Sequence, residues 1–196
     1  SAIAKYDSDE HIRNWEHPER GGAWELSRML RGFVKEQPER FAKLSQRFTA
    51  QTHQSYLAAV LNGLKDAVAA TELKLQVCRL FYALGDKPCG RDIVNTLATI
   101  QDEKLPKDAV NIIAWFATKD PDPQKELWRK DDDNPIEYYG GDILTHGINT
   151  VRGRAAEAIR DLIYHDAVYI ESFRETLENI VNDQSIAVRS CVFSTL

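Results

Sequence analysis

A single methionine, only three cysteines and no long apolar run are the first gaps in this 196-residue sequence. A membrane-spanning helix needs roughly 18 or more consecutive apolar residues, and no run approaches that length. No basic-then-apolar opening reads as a signal peptide. The cysteines (Cys78, Cys89 and Cys191) are odd in number and form no CxxC pair. That argues against a disulfide framework and for a reducing compartment, expected here to be the cytoplasm. Cys78 and Cys191 sit on apolar stripes as small core residues, whereas Cys89 follows Pro88 at a turn, where a reactive thiol would be placed.

The signatures of catalysis are equally scarce. There is no GxxxxGK[ST] and no GxGxxG to cradle phosphates. The histidines, His11, His17, His53, His146 and His165, form no HExxH. His11 and His17 lie in a polar stretch near Trp15 and Trp24, and no metal is expected there. Asp131, Asp132 and Asp133 with Glu137 invite a calcium reading. An EF-hand counted from Asp131 would need Gly at its sixth position and Glu at its twelfth, where this chain has Ile136 and Asp142. No nucleophile–base set stands out, so neither an enzyme nor a cofactor is expected.

What the chain does have is 43% hydrophobic and 28% charged residues with a net charge of −5, enough for one domain with a sizeable core. Apolar residues recur at a helical period almost throughout, and no stretch alternates as a strand would. Trp24, Leu26, Met29, Leu30, Phe33 and Val34 form one stripe that ends at Pro38. Phe41, Leu44 and Phe48 form the next, followed by Leu57, Val60, Leu61 and Leu64. A fourth helix is expected from an N-cap at Thr71 to a stop at Gly85. Ile93, Val94, Leu97 and Ile100 mark a fifth, and Pro106 opens a sixth with Ile112, Ile113 and Phe116 inward. After residue 143, Val151–Ile163, Ile170–Val181 and a stretch from Ser185 read as three more. The expectation is an all-α fold, an α-α superhelix of about eight or nine helices. Trp24, Phe33, Phe81, Leu84, Ile113, Phe116, Ile159, Leu162, Phe173, Leu177 and Val188 should be buried. A chain ending on an apolar helix is also expected to be part of a longer one.

Charge is unevenly spread. Residues 1–100 carry 14 Lys and Arg against 12 Asp and Glu; residues 101–196 carry 11 against 18. Asp120–Asp142 alone holds eight acids and three bases, with three prolines and two glycines. Such a segment is longer than compact domains usually tolerate between helices. One reading is an Ω-like insertion pinned by Trp128, Tyr138 and Tyr139. The other is a partner-facing element, since aromatic residues are enriched at the energetic centres of interfaces. Candidate partner-binding residues are Trp128, Asp131, Asp132, Asp133, Glu137, Tyr138 and Tyr139. Arg152 and Arg154, near a helix start, could meet an acidic partner or pair internally with Asp142, Glu157 or the acidic segment.

"VRGRAA" from Val151 and "VRSCVF" from Val188 are 37 residues apart, close to the roughly 40-residue unit of helical arrays. With Asp183 ending one helix and Val188-Arg189 opening the next, residues 143–196 resemble a HEAT repeat. Residues 20–119 share only the paired-helix rhythm. In this pattern the Asp caps a helix or pairs with an Arg while the Val enters the core, and Gly153 departs from the usual helix-forming filler. The phrase "GINTVRGRAAEAI" also resembles helical-repeat regions of large bacterial multidomain NTPases of sensor or defence type. The resemblance implies one helical-repeat domain over 1–196, with divergent hairpins over 20–119, an acidic loop over 120–142 and HEAT-like hairpins over 143–196. It further implies a non-catalytic scaffold that binds another protein or another domain of its own chain. A second class of HEAT-like protein, the alkylpurine DNA glycosylases, has a basic concave face. That alternative needs Arg28, Arg31, Arg40, Lys43 and Arg47 gathered on one face, and a net charge of −5 argues against nucleic acid as the partner.

Overall fold

The computed structural model describes residues 22–131 and 134–193, with nothing to report of the Phe193 side chain. Ten α-helices and one short 3-10 turn account for the regular structure, and no strand occurs among the described residues. The chain is all-α, as its periodicity indicates. It divides into two compact units, residues 1–96 and 97–196.

The first unit contains α1 (Ala23–Glu36), α2 (Pro38–Ser45), α3 (Gln54–Asp66), α4 (Thr71–Tyr82) and most of α5 (Gly90–Ala98). Pro38 stands at the first position of α2, where its missing N–H costs nothing. Helix α3 is the centre, packed by α1, α2 and α4. It buries Tyr56, Leu57, Val60, Leu61 and Leu64, and Phe81 of α4 is fully enclosed. The closest approach is at Gly63. A Cβ there would lie 2.5 Å from the Val34 Cβ and 2.8 Å from the Arg31 carbonyl oxygen.

Four expectations fail in this unit. Trp24 and Phe33 are 46% and 48% exposed, not buried. The apolar arc of α1 is wider than the side that α3 covers: Ala23, Ser27 and Val34 are buried, while Met29 and Phe33 point to solvent. Leu44 is likewise exposed on α2. Thr71 is the first residue of α4, not its cap; Ala70 holds the cap position without a side-chain hydrogen bond. The helix also stops at Tyr82, and left-handed backbone occurs at Lys87 (φ 51°) and Cys89 (φ 60°), not at Gly85.

The second unit holds α6 (Lys107–Lys119), the 3-10 turn Tyr139–Gly141, α7 (Ile143–Ile148), α8 (Val151–His165), α9 (Val168–Val181) and α10 (Ile186–Phe193). Helix α8 is the hub, contacting the other four. Ile113, Phe116, Ile159, Leu162, Phe173 and Val188 are buried as expected, while Leu84 of the first unit and Leu177 are half-buried. The Tyr169 hydroxyl accepts the Leu105 amide at 2.8 Å, satisfying a buried donor ahead of α6.

Glycines set the junction of α7, α8 and α10. A Cβ at Gly147 would meet the Ala187 carbonyl oxygen at 2.3 Å and the Cys191 Sγ at 2.6 Å. A Cβ at Gly153 would lie 2.0 Å from the Gly147 carbonyl oxygen. The unusual residue of the first Val-Arg copy is therefore a steric necessity. Between the two glycines, Thr150 caps α8: its hydroxyl accepts the Gly153 amide at 3.1 Å and donates to Gly147 O at 2.7 Å.

Candidate functional site

Residues 120–131 and 134–138 run without regular structure between α6 and the 3-10 turn. Such a path strips backbone groups of helical partners, and its acids supply many replacements. The Asp120 carboxylate accepts the Asp122 amide at 2.9 Å, and the Asp122 carboxylate accepts Val151 N at 2.7 Å, at the start of α8. Glu126 accepts Ile186 N at 2.9 Å, at the start of α10, and also takes the Trp128 indole N–H. Asp131 and Asn134 close a turn, with Asn134 N on the Asp131 carboxylate at 2.9 Å. The Asn134 side chain donates to Arg129 O at 2.8 Å. Asp142 caps α7 through Thr145 N, and hydrogen bonds from the Thr145 side chain and amide hold its carboxyl below the usual aspartate value. Negative groups are favoured at helix N-termini, so much of this acidity has a structural use.

Arg152 completes the anchorage. Its guanidinium donates to both carboxylate oxygens of Asp183, at 2.9 and 3.2 Å, to Asp120 O at 2.7 Å and to Pro123 O at 3.4 Å. The pair is largely enclosed, with the two side chains 12% and 10% exposed. Asp183 also accepts Ser185 N at 2.8 Å, and Arg189 donates to its carbonyl. One arginine thus ties the acidic segment to the α9–α10 turn. Burial raises the Asp120 carboxyl above the usual aspartate value, as does the nearby Asp122 charge, against the hydrogen bond from the Asp122 amide.

The remaining candidates separate into two groups. Arg154 pairs with Glu157 at 2.7 Å, and Glu157 also holds Arg160 at 3.3 Å, so Arg154 is engaged inside the fold as Arg152 is. Trp128 is half-buried beside the Arg129 guanidinium, and Arg129 lies 3.7 Å from Asp131. Tyr138 and Tyr139 differ: they are 46% and 40% exposed, and Ile136 and Glu137 beside them face solvent. The Tyr139 ring stands 5.5 Å from that of His146. Asp132 and Asp133 lie outside the described residues, as do His11 and His17.

His146 is a residue that periodicity did not flag. Buried under the segment, its Nε2 lies 3.1 Å from Lys125 O. A carbonyl only accepts, so Nε2 carries the hydrogen and the buried Nδ1 has no partner. Beside the tyrosines, Gly141, Asp142, Ile143, Leu144, Ile186, Arg189 and Ser190 line an open groove of about 630 Å³. Burial and the nearby Asp92 and Asp86 carboxylates push the Cys89 thiol up to about 12, against the pull of a backbone hydrogen bond. That thiol stays protonated near neutral pH, the opposite of a reactive site. Among the described residues no group of three or more His, Cys, Asp or Glu side chains is placed to hold a metal, and no helix is long and apolar enough to cross a membrane. No protein-family model, no curated protein and no solved structure matches the chain.

Proposed function

We propose that the chain is a HEAT-like helical-repeat module without catalytic activity of its own. It binds another protein, or another domain of its own chain, through the exposed part of the acidic segment, residues Ile136 to Tyr139. The carrying observation is the division of labour within that segment. Arg152, Asp122, Glu126 and the half-buried Trp128 tie it down, while Ile136, Tyr138 and Tyr139 remain in solvent. Rings kept out of the core on a well-anchored support lose little conformational freedom when a partner arrives. The 37-residue offset, the packing of α8 against α6, α9 and α10, and the Arg152–Asp183 link favour the repeat reading.

A photo-crosslinking residue at Tyr138, introduced in the native cell, tests this directly. It is expected to join the chain to one discrete partner, whereas the same residue at exposed Gln76 is not. Replacing Lys130–Glu137 with a Gly-Ser link leaves the anchors at Asp122, Glu126 and Arg152 in place. Helicity and melting temperature should therefore change little while the crosslink is lost. A crosslink that survives the replacement overturns the reading.

A further inference from the structure

The first unit carries a different surface, independent of the acidic segment. On α2, Pro38, Ala42 and Ser45 are buried, and the opposite side presents Arg40, Lys43 and Leu44 to solvent, with exposed Arg47 in the turn that follows the helix. Arg40, Lys43 and Leu44 stand at i, i+3 and i+4, so they share one helix face. One residue, Gln37, joins α2 to α1, where Met29 and Phe33, spaced i and i+4, are also exposed. The Gln37 amide donates to Phe33 O at 2.9 Å, and its side chain accepts from Arg40 at 2.9 Å, so Gln37 ties the end of α1 to the start of α2.

Two features set this surface apart. Arg40, Lys43 and Arg47 make no ion pair with a carboxylate among the described residues; Arg40 is held only by Gln37 and lies over the Phe41 ring at 5.7 Å. Moreover, large apolar side chains are interleaved with these unneutralised cations. An exposed apolar patch rimmed by polar groups is a mark of association. A phosphate backbone would use the cations but would gain nothing from Met29 or Leu44. Base stacking needs several open aromatic faces, and with Arg28 over the Trp24 ring at 4.9 Å only Phe33 offers one among the residues of this surface. The sign of the free charge and the apolar content together specify the occupant.

We propose that the outward faces of α1 and α2 dock an acidic, amphipathic segment of a partner protein. Its carboxylates meet Arg40, Lys43 and Arg47, and its apolar side chains cover Met29, Phe33 and Leu44. This is the helix-on-surface mode of peptide recognition, with charge selecting the partner and apolar contact holding it.

The test uses the full chain and a fluorescein-labelled amphipathic peptide built from Glu, Leu and Phe, read by anisotropy. Saturable binding is expected. It should weaken about tenfold or more in the Arg40→Glu, Lys43→Glu, Arg47→Glu triple variant and, separately, in Met29→Ser with Phe33→Ser. Lys104→Glu, an exposed charge of the second unit, should leave it unchanged. Because the altered side chains face solvent, the circular-dichroism spectrum should be native; if the triple variant unfolds, Lys43→Glu and Leu44→Ser singly provide the same reading. Equal binding by native and variant chains overturns the proposal. So does tighter binding of a labelled oligothymidylate, which would assign the face to nucleic acid. Absence of binding by the full chain also overturns it, with sedimentation then showing whether a second copy occupies the face or the chain covers it itself.

Discussion

The two units differ in how many of their arginines they engage. Residues 97–196, with 11 basic against 18 acidic side chains, engage each of their arginines internally. Arg129, Arg152, Arg154, Arg160 and Arg174 hold carboxylates, and Arg189 holds the Asp183 carbonyl. In the first unit Arg31 and Arg79 pair with carboxylates, while Arg40 and Arg47 make no such pair among the described residues. The difference follows from the connections. The first unit joins its helices by short links, whereas the second carries a long irregular segment that needs partners for its carbonyls and amides. Arg152, which serves that segment, is drawn inward, whereas Arg129 and Arg174 pair on the surface and Arg40 and Arg47 stay in solvent.

The glycines offer the largest test of this contrast. Gly153→Ala is expected to cost about 3 kcal/mol, because its Cβ would sit 2.0 Å from a backbone oxygen that cannot move aside freely. Gly32→Ala on α1 has nothing within 4 Å of the new Cβ, so it should stabilise by about 0.5–1 kcal/mol. Urea denaturation of the two variants reads both signs. If both substitutions destabilise, the close approach at α7 and α8 is not what distinguishes them.

Next in size is the arginine pair. Arg152→Met strips enclosed Asp183 of its partner and frees the Asp120 and Pro123 carbonyls, an expected loss of about 3 kcal/mol. Arg31→Met breaks a more exposed bridge to Asp66 and should cost less than about 1 kcal/mol. Thermal melting of each variant against the native chain decides; equal losses would erase the distinction between inward and outward charge.

The smallest effect concerns Asp120. Its folded-state pKa lies above the ordinary aspartate value, so the fold prefers the protonated form. The group's favourable contribution is complete below the unfolded pKa and is lost as pH rises through the folded one. Asp120→Asn keeps an acceptor for the Asp122 amide and carries no charge. Its stability relative to the native chain should therefore increase as pH rises across that window and then level off, by less than about 1 kcal/mol. Urea titrations across the acid range check the sign, and an advantage that shrinks with rising pH would refute the burial argument.

Periodicity located the described helices apart from the six-residue α7, because the apolar spacing that makes a longer helix is written locally. Val151, Ile159 and Leu162, for example, share a stripe whatever they pack against. The local roles of Asp183 and Val188 were also legible: Asp183 pairs with Arg152 and Val188 is buried, while the cap of α10 falls to Ser185, whose hydroxyl accepts Val188 N. Trp24 and Phe33 were misplaced because periodicity reports that a face is apolar but not how much of it a neighbour covers. The acidic segment was visible as charge, yet Asp122 and Glu126 as caps of helices 29 and 60 residues away carry no local signal. The same holds for His146, whose burial depends on a segment folding over it.

The sequence by itself therefore determined the all-helical architecture, the positions of most helices and the long irregular segment, since each depends on neighbours along the chain. Only the tertiary structure decided which acids are structural, why glycine stands at 147 and 153, and which aromatic and basic side chains stay in solvent. Those outcomes depend on distances between elements remote in sequence, where a carboxylate within about 3 Å of an amide is a cap and the same carboxylate further off is merely charge.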